Sequence, residues 1–322
     1  MINRILKNKY PLLCLFGIAF LLNSFAKQDV YNVSYESKKY LEEVIKIIQT
    51  NSINKNKIDW VKFKEDVFHF AQNSQTIKDT YPAVSYAVSL LEDNHSYFSP
   101  LTDKNQIQEE KLLPILKDEM VPSDIGYIRI PFCIGNDKQT TAYIKLLTDK
   151  ISAQNNPNIK GWVVDLRDNF GGNMWPMLVS VGPLLQTGIQ GYFFNADNAH
   201  TKWYYDNGKA YLDSTMLAEN KHIVTVYGKS KIAVLINENT ASSGEAIAVL
   251  FKGYSTAKLF GKPTFGVSTG CESYSLSDGS RINLATSVFA DRNKNKYGST
   301  IVPDIFCNDL DVLAKALEWI YN

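Results

Sequence analysis

Residues 161–175 read GWVVDLRDNFGGNMW, and the fold class turns on how that stretch is divided. Trp162, Val163, Val164 and Leu166 form a short, nearly continuous apolar run, the mark of a strand buried on both faces. Gly171 and Gly172 break the run, and NMWPMLVSVGPLL (173–185) then shows a helical pattern. Strand, glycine turn and helix together make the repeating unit of a parallel sheet covered by helices.

The same order recurs on either side. IGYIRIPF (125–132) reads as a strand followed by the helix TTAYIKLLTDKIS (140–152). KIAVLIN (231–237) is another buried strand, followed by the helix SGEAIAVLFKGY (243–254). QGYFF (190–194), KWYYDNGKAYL (202–212, turning at Asp206-Asn207-Gly208), AKLFG (257–261), GVSTGCESYSL (266–276) and GSRINLATSVFAD (279–291) add strands, several of them antiparallel. DLDVLAKALEWIY (309–321) is a closing helix. The expected class is α/β.

Ahead of this core, three helical patterns place Tyr40, Leu41, Val44, Ile45, Ile47 and Ile48, then Trp60, Phe63, Val67 and Phe70, then Val84, Ala87, Val88 and Leu91 on one face each. They form a small helical domain ending near residue 95, with a polar linker over residues 100–122. The expected division is a signal peptide over 1–26, a helical domain and linker over 27–122, and a catalytic domain over 123–322.

Two junctions carry chemistry. At TASSGEAIA (240–248), a hydroxyl at a strand–turn–helix corner sits where backbone N–H groups and the helix dipole stabilise negative charge. Ser242-Ser243-Gly244-Glu245 also fits a capping box, which gives Ser242 a structural reading. At DLRDNFGG (165–172), the glycine pair lets the backbone approach a ligand with its N–H groups. The pair lacks the lysine of a P-loop, and an oxyanion hole for acyl transfer suits it equally well.

DLRDNFGG resembles the DLRxNxGG motif of the tail-specific, or C-terminal-processing, serine peptidases. TASSGEAIA resembles that family's nucleophile segment, GKPTFG (261–266) its GxxTFG, and IVPDI (301–305) its closing stretch. The resemblance covers roughly residues 90–320, in the family's order. It implies an α/β superhelical core shared with crotonase and ClpP. It also implies that Ser242 is the nucleophile, and that Ser243 with Gly171 or Gly172 supplies the backbone donors of the oxyanion hole.

The sequence departs from the processing branch at the base. Val267 stands where that branch has its lysine, and Lys262 lies five residues earlier, before Pro263. EDNHSYF (92–98) instead resembles the DxHSxF-type segment of the tricorn-like branch, which makes His95 the general base. An imidazole, with an ordinary pKa near 6.5, suits proton transfer at neutral pH. His69, His200 and His222 read as surface or satisfied core residues. For the orienting acid, Tyr297 occupies the place of that branch's glutamate. Asp291 is then the nearby candidate and Glu245 another, although Asp291 also fits a hairpin turn beside Arg292. Only about thirty residues separate His95 from Ile125, fewer than the roughly 50 a folded domain needs, so no inserted PDZ domain is expected.

Bulk properties narrow the partners. The chain has 322 residues, a formal net charge of +1 and 45% hydrophobic residues, which removes the electrostatic case for nucleic acid or an acidic membrane. A basic start (Arg4, Lys7, Lys9), a short apolar run over 11–22 and small residues at Ser24 and Ala26 form a signal-peptide pattern. The run is too short for a membrane span, and Cys14 lacks the small residues that precede a lipidated cysteine. An exported location, periplasmic or extracellular, follows. Cys133, Cys271 and Cys307 have no metal-type spacing and leave open one disulfide plus a free thiol. The expectation is an exported serine peptidase acting on extended polypeptide, with neither metal nor cofactor. The alternatives are an inactive ligand- or peptide-binding module on the same scaffold, and a small ester or amide hydrolase.

Overall fold

The structure, a computed structural model, describes residues 31–101, 117–228 and 231–322. The signal-peptide segment with Cys14, and most of the polar linker, lie outside the described residues. Helices α1 (Tyr35–Asn51), α2 (Trp60–Phe70) and α3 (Tyr81–Ser89) come first, then β1 (Tyr97–Ser99), β2 (Ile125–Arg129), α4 (Asp137–Gln154), β3 (Gly161–Asp165) and α5 (Met174–Val181). Four strands follow: β4 (Gly188–Asn195), β5 (His200–Asp206), β6 (Lys209–Leu212) and β7 (Thr215–Glu219). Then come β8 (Ile232–Ile236), α6 (Ser243–Lys252), β9 (Ala257–Gly261), β10 (Thr269–Ser275), β11 (Arg281–Asp291), β12 (Ile305–Phe306) and α7 (Val312–Tyr321).

The apolar strands make a five-stranded parallel sheet in the order β12-β9-β8-β3-β2. Successive side chains on a strand point to opposite faces, and both faces here are covered. Trp162, Val164, Ile232 and Val234 pack with residues of α4, α5 and α6, while Val163, Ala233 and Leu235 pack with Val312, Ala316 and Ile320 of α7. That two-sided burial explains why these strands read as unbroken apolar runs. The α/β expectation holds.

A second, antiparallel sheet runs β1-β11-β4-β5-β6-β7, with β10 paired to β11. The sequence reading lacked β1, β7 and β12, whose residues are short, half-exposed or both and carry little periodicity. Helices α1–α3 share a core with this sheet: Leu41, Val44, Phe63 and Val84 cluster with Leu276, Ile282 and Leu284 of the β10–β11 hairpin. Asp278 at the hairpin tip accepts from Tyr40 at 3.2 Å and Tyr81 at 2.7 Å, which ties α1 and α3 to it.

The helix starts follow local chemistry. Asp59 accepts from Val61 N–H and Lys62 N–H to begin α2, and Asn136 closes a capping box with Gln139 to begin α4. Cys133, Cys271 and Cys307 are all free thiols, so the disulfide that the sequence left open is not formed. Among the described residues, no helix is long and apolar enough to cross a membrane.

Candidate active site

The turn after β8 gives its three hydroxyls different work. Thr240 is buried; its Oγ1 donates to Leu166 O at 2.9 Å and accepts from Asn237 N–H at 3.1 Å. Ser243 Oγ donates to Gly172 O at 2.5 Å. Both hold the turn against the end of β3. Ser242 stands between them at φ 51°, ψ −118°, a backbone state that costs an L-residue about 1–3 kcal/mol and collects at functional corners.

Glu245 fixes that corner. The carboxylate is fully buried on the first turn of α6. Oε2 accepts from Ser242 N–H at 2.9 Å and Val267 N–H at 3.0 Å, and Oε1 accepts from Thr264 Oγ1 at 2.6 Å and Gly266 N–H at 3.0 Å. Burial pushes its carboxyl above the ordinary value, and these four donors pull it back. One side chain thus joins the Ser242 corner to the Thr264–Val267 loop.

The glycine pair meets the same corner from β3. Gly171 and Gly172 lie at φ +112° and +105°; a Cβ on Gly171 would stand 2.8 Å from Ser242 Cβ, and one on Gly172 2.1 Å from Cys133 O. Asn169, fully buried, shapes the loop by donating to Ile130 O at 2.9 Å and accepting from Gly171 N–H at 3.0 Å. Gly171 therefore spends its donor within its own loop. Gly172 forms an isolated bridge with Cys133. Its C=O accepts from the Ser243 hydroxyl at the start of α6.

A buried ion network sets the β3 end. Asp165 accepts from Arg167 Nε at 2.9 Å, from the Arg167 guanidinium again at 2.6 Å, from Arg129 at 3.3 Å and from Tyr127 at 2.8 Å. Asp168 accepts from Asn237 Nδ2 at 2.9 Å and links β3 to the turn after β8. These contacts account for the acidic and basic residues of DLRD as scaffold.

His95 arrives from the opposite direction. Asp93 organises its loop by accepting from His95 N–H at 2.9 Å and Ser96 N–H at 2.7 Å, and Ser96 Oγ accepts from Ala285 N–H of β11 at 2.9 Å. The ring's Nδ1 lies 2.7 Å from Thr269 Oγ1 and 3.2 Å from Cys271 Sγ, both on β10. Burial lowers its pKa below that of a free imidazole, and the charge of Asp93 partly opposes this. Thr269 N–H donates to Val267 O at 2.7 Å, so a short bonded path joins Ser242, Glu245, Val267, Thr269 and His95.

Asp291 is placed elsewhere. Its carboxylate accepts from Asn293 N–H, Asn295 N–H, Asn295 Nδ2 and Tyr297 Oη at the end of β11. That is the turn reading: the acid satisfies its own loop, and the histidine's Nδ1 faces a hydroxyl and a thiol. Lys262 forms ion pairs with Asp309 at 2.7 Å and Glu238 at 3.2 Å near the surface. Val267 is buried. Thr269, Asn169 and the bridging role of Glu245 escaped the sequence reading. Thr269 carries no motif of its own, and its partner His95 is 174 residues away. Among the described residues, no group of three His, Cys, Asp or Glu side chains could hold a metal.

The model of peptidase family S41 matches residues 124–306. The nisin-resistance protein of Lactococcus lactis subsp. lactis is 28% identical over 323 residues, covering 99% of this chain and 97% of its own. The carboxy-terminal processing protease CtpA of Bacillus subtilis is 31% identical over 166 residues, 52% of this chain and 31% of its own, so the chain spans about a third of that protease. A lipoprotein from Streptococcus agalactiae shares the fold with a TM-score of 0.72 at 24% identity, over 89% of this chain and 96% of its own. The photosystem II D1 C-terminal processing protease shares it at 0.59 and 15% identity, over 88% and 97%.

Proposed function

The chain belongs to peptidase family S41, and on that premise we propose that it is an exported serine peptidase using Ser242 as nucleophile and His95 as general base. Ser242 Oγ attacks the peptide carbonyl carbon while its proton passes to His95 Nε2. The tetrahedral oxyanion is met by the N–H groups of Ser243 and Gly172. Collapse expels the amine, which takes the proton back from the imidazolium and leaves an acyl-enzyme. Water then repeats the sequence and releases the acid.

The observation that carries this reading is the division of labour at the turn after β8. Thr240 and Ser243 spend their hydroxyls on backbone carbonyls, and Ser242 sits in a strained corner facing the glycine pair. Export rests on the basic start, apolar run and small residues of 1–26. The substrate is extended polypeptide. Phe170 and Phe265, on the two loops bonded to the nucleophile turn, stay exposed to meet it. The relative aligned over nearly its full length is named for nisin resistance, so nisin is the first peptide to assay.

A fluorophosphonate probe tests the chemistry. Wild-type protein should label, and both Ser242→Ala and His95→Gln should abolish labelling and nisin cleavage. Labelling that survives Ser242→Ala would assign the nucleophile elsewhere. A wild-type protein that neither labels nor cleaves any peptide would favour a binding module.

A further inference from the structure

We propose that Thr269 takes the place of a triad acid: its hydroxyl accepts the Nδ1–H of His95 and holds the ring in the tautomer whose Nε2 is free to take a proton. This rests on reading His95 as the general base. Thr269 Oγ1 and Cys271 Sγ both reach Nδ1, as expected for residues two apart on one face of β10. Thr269 is buried and pinned through Val267, whose N–H is held by Glu245. Its hydroxyl therefore sits at a fixed point.

Of the two neighbours, oxygen is the better acceptor. Burial, aided by the charge of Asp93, pushes the Cys271 thiol up to about 12, so it stays protonated beside the ring and forms no thiolate–imidazolium pair. The remaining charged group facing the ring is Asp93 of its own loop, occupied by His95 N–H, Ser96 N–H and Ser96 Oγ. Glu272, next on β10, accepts from Tyr274 Oη. On β11, Asn283 and Ala285 lie opposite Ser273 and Cys271 and do not titrate.

The tautomer matters because a neutral imidazole has one N–H and one lone pair. If Thr269 donated to Nδ1, Nε2 would carry the proton and Ser242 would have no base. A carboxylate at this position would both fix the tautomer and stabilise the imidazolium. A hydroxyl does only the first. Thr269 is thus a positioning residue, and its loss should reduce turnover without weakening substrate binding.

The experiment combines ring nitrogen-15 NMR with pH-resolved kinetics. Wild type, Thr269→Ser, Thr269→Val and Cys271→Ala are compared, with His95→Gln used to assign the signals. Above the acid limb of the rate profile, wild type and Thr269→Ser should show Nδ1–H, and Thr269→Val a mixture of tautomers. In Thr269→Val, kcat should fall roughly tenfold, the scale of one hydrogen bond, with KM unchanged. Thr269→Ser should restore it, and Cys271→Ala should stay within about twofold of wild type.

A wild-type Nε2–H tautomer would overturn the proposal. So would a folded Thr269→Val protein with the wild-type tautomer and kcat, or a Cys271→Ala protein reproducing the Thr269→Val effects. If valine prevents folding, Thr269→Ala serves in its place. Full activity in His95→Gln would remove the general-base reading, and the tautomer measurement distinguishes that failure because it does not depend on turnover.

Discussion

Glu245 Oε2 accepts the backbone N–H of Ser242 at 2.9 Å, and the same oxygen accepts Val267 N–H at 3.0 Å. The Ser242 corner and the segment leading to Thr269 therefore share one buried acceptor. Glu245→Gln keeps the shape but offers an amide NH2 to groups that are themselves donors. Unsatisfied buried donors cost about 1–3 kcal/mol each, so a loss of that order or somewhat more is expected by denaturant titration. Turnover should fall more steeply than the folded fraction, because the strained corner relaxes. Wild-type kcat in folded Glu245→Gln would show that the clamp is dispensable.

Gly172→Ala should be more damaging than a typical glycine substitution. The position lies at φ +105°, and the new Cβ would stand 2.1 Å from Cys133 O, a backbone atom with little freedom to retreat. Left-handed strain alone is worth about 1–3 kcal/mol, and the clash adds to it. Thermal unfolding should show the loss, and labelling by a fluorophosphonate should fall as the glycine pair beside Ser242 is displaced. An alanine enzyme that melts and labels as wild type would contradict the close approach.

The pH profile follows from the lowered pKa of His95. With His95 as the proposed base, the neutral ring is the active form, and activity should be lost as pH falls through the folded-state pKa. Since burial has lowered that pKa, the acid limb of kcat/KM should lie below the 6.5 of a free imidazole. Asp93 opposes the shift, so Asp93→Asn should move the limb further down while loosening the loop it organises. An acid limb above 6.5 in wild type would reverse the assignment of burial as the dominant influence.

Lys262→Met separates this site from a serine–lysine arrangement. The ammonium is held by Asp309 and Glu238, each of them half-exposed, and such pairs contribute roughly 0–1 kcal/mol. Peptide cleavage by the methionine variant should stay within about twofold of wild type, a rate change inside that energy range. A loss of several orders of magnitude would make Lys262 the base.

What could be read in advance depended on the distance over which each signal acts. The buried strands around Val163 and Val234 announce themselves because two-sided burial leaves no polar alternation. Ser242 and the glycine pair sit at junctions whose local pattern already implies strained backbone and a close approach of one turn to the other. Asp291 misled because an acid near the expected place satisfies its own hairpin, and nothing in the local sequence tells the two uses apart. Thr269 was invisible for the opposite reason. A threonine opening a strand is ordinary, and its meaning comes from the β1–β11 and β10–β11 pairings that carry His95 to it.

The shared core of helices α1–α3 and the β10–β11 hairpin has a temporal consequence. His95 and Thr269 are 174 residues apart, and their meeting requires the hairpin to close on helices made near the start of the chain. Pairings of such sequence separation form late, after local helices and neighbouring strands. A nascent or half-folded copy would therefore hold Ser242 without the oriented ring of His95, the proposed base. The peptidase would become dangerous to its neighbours only once its own folding was complete.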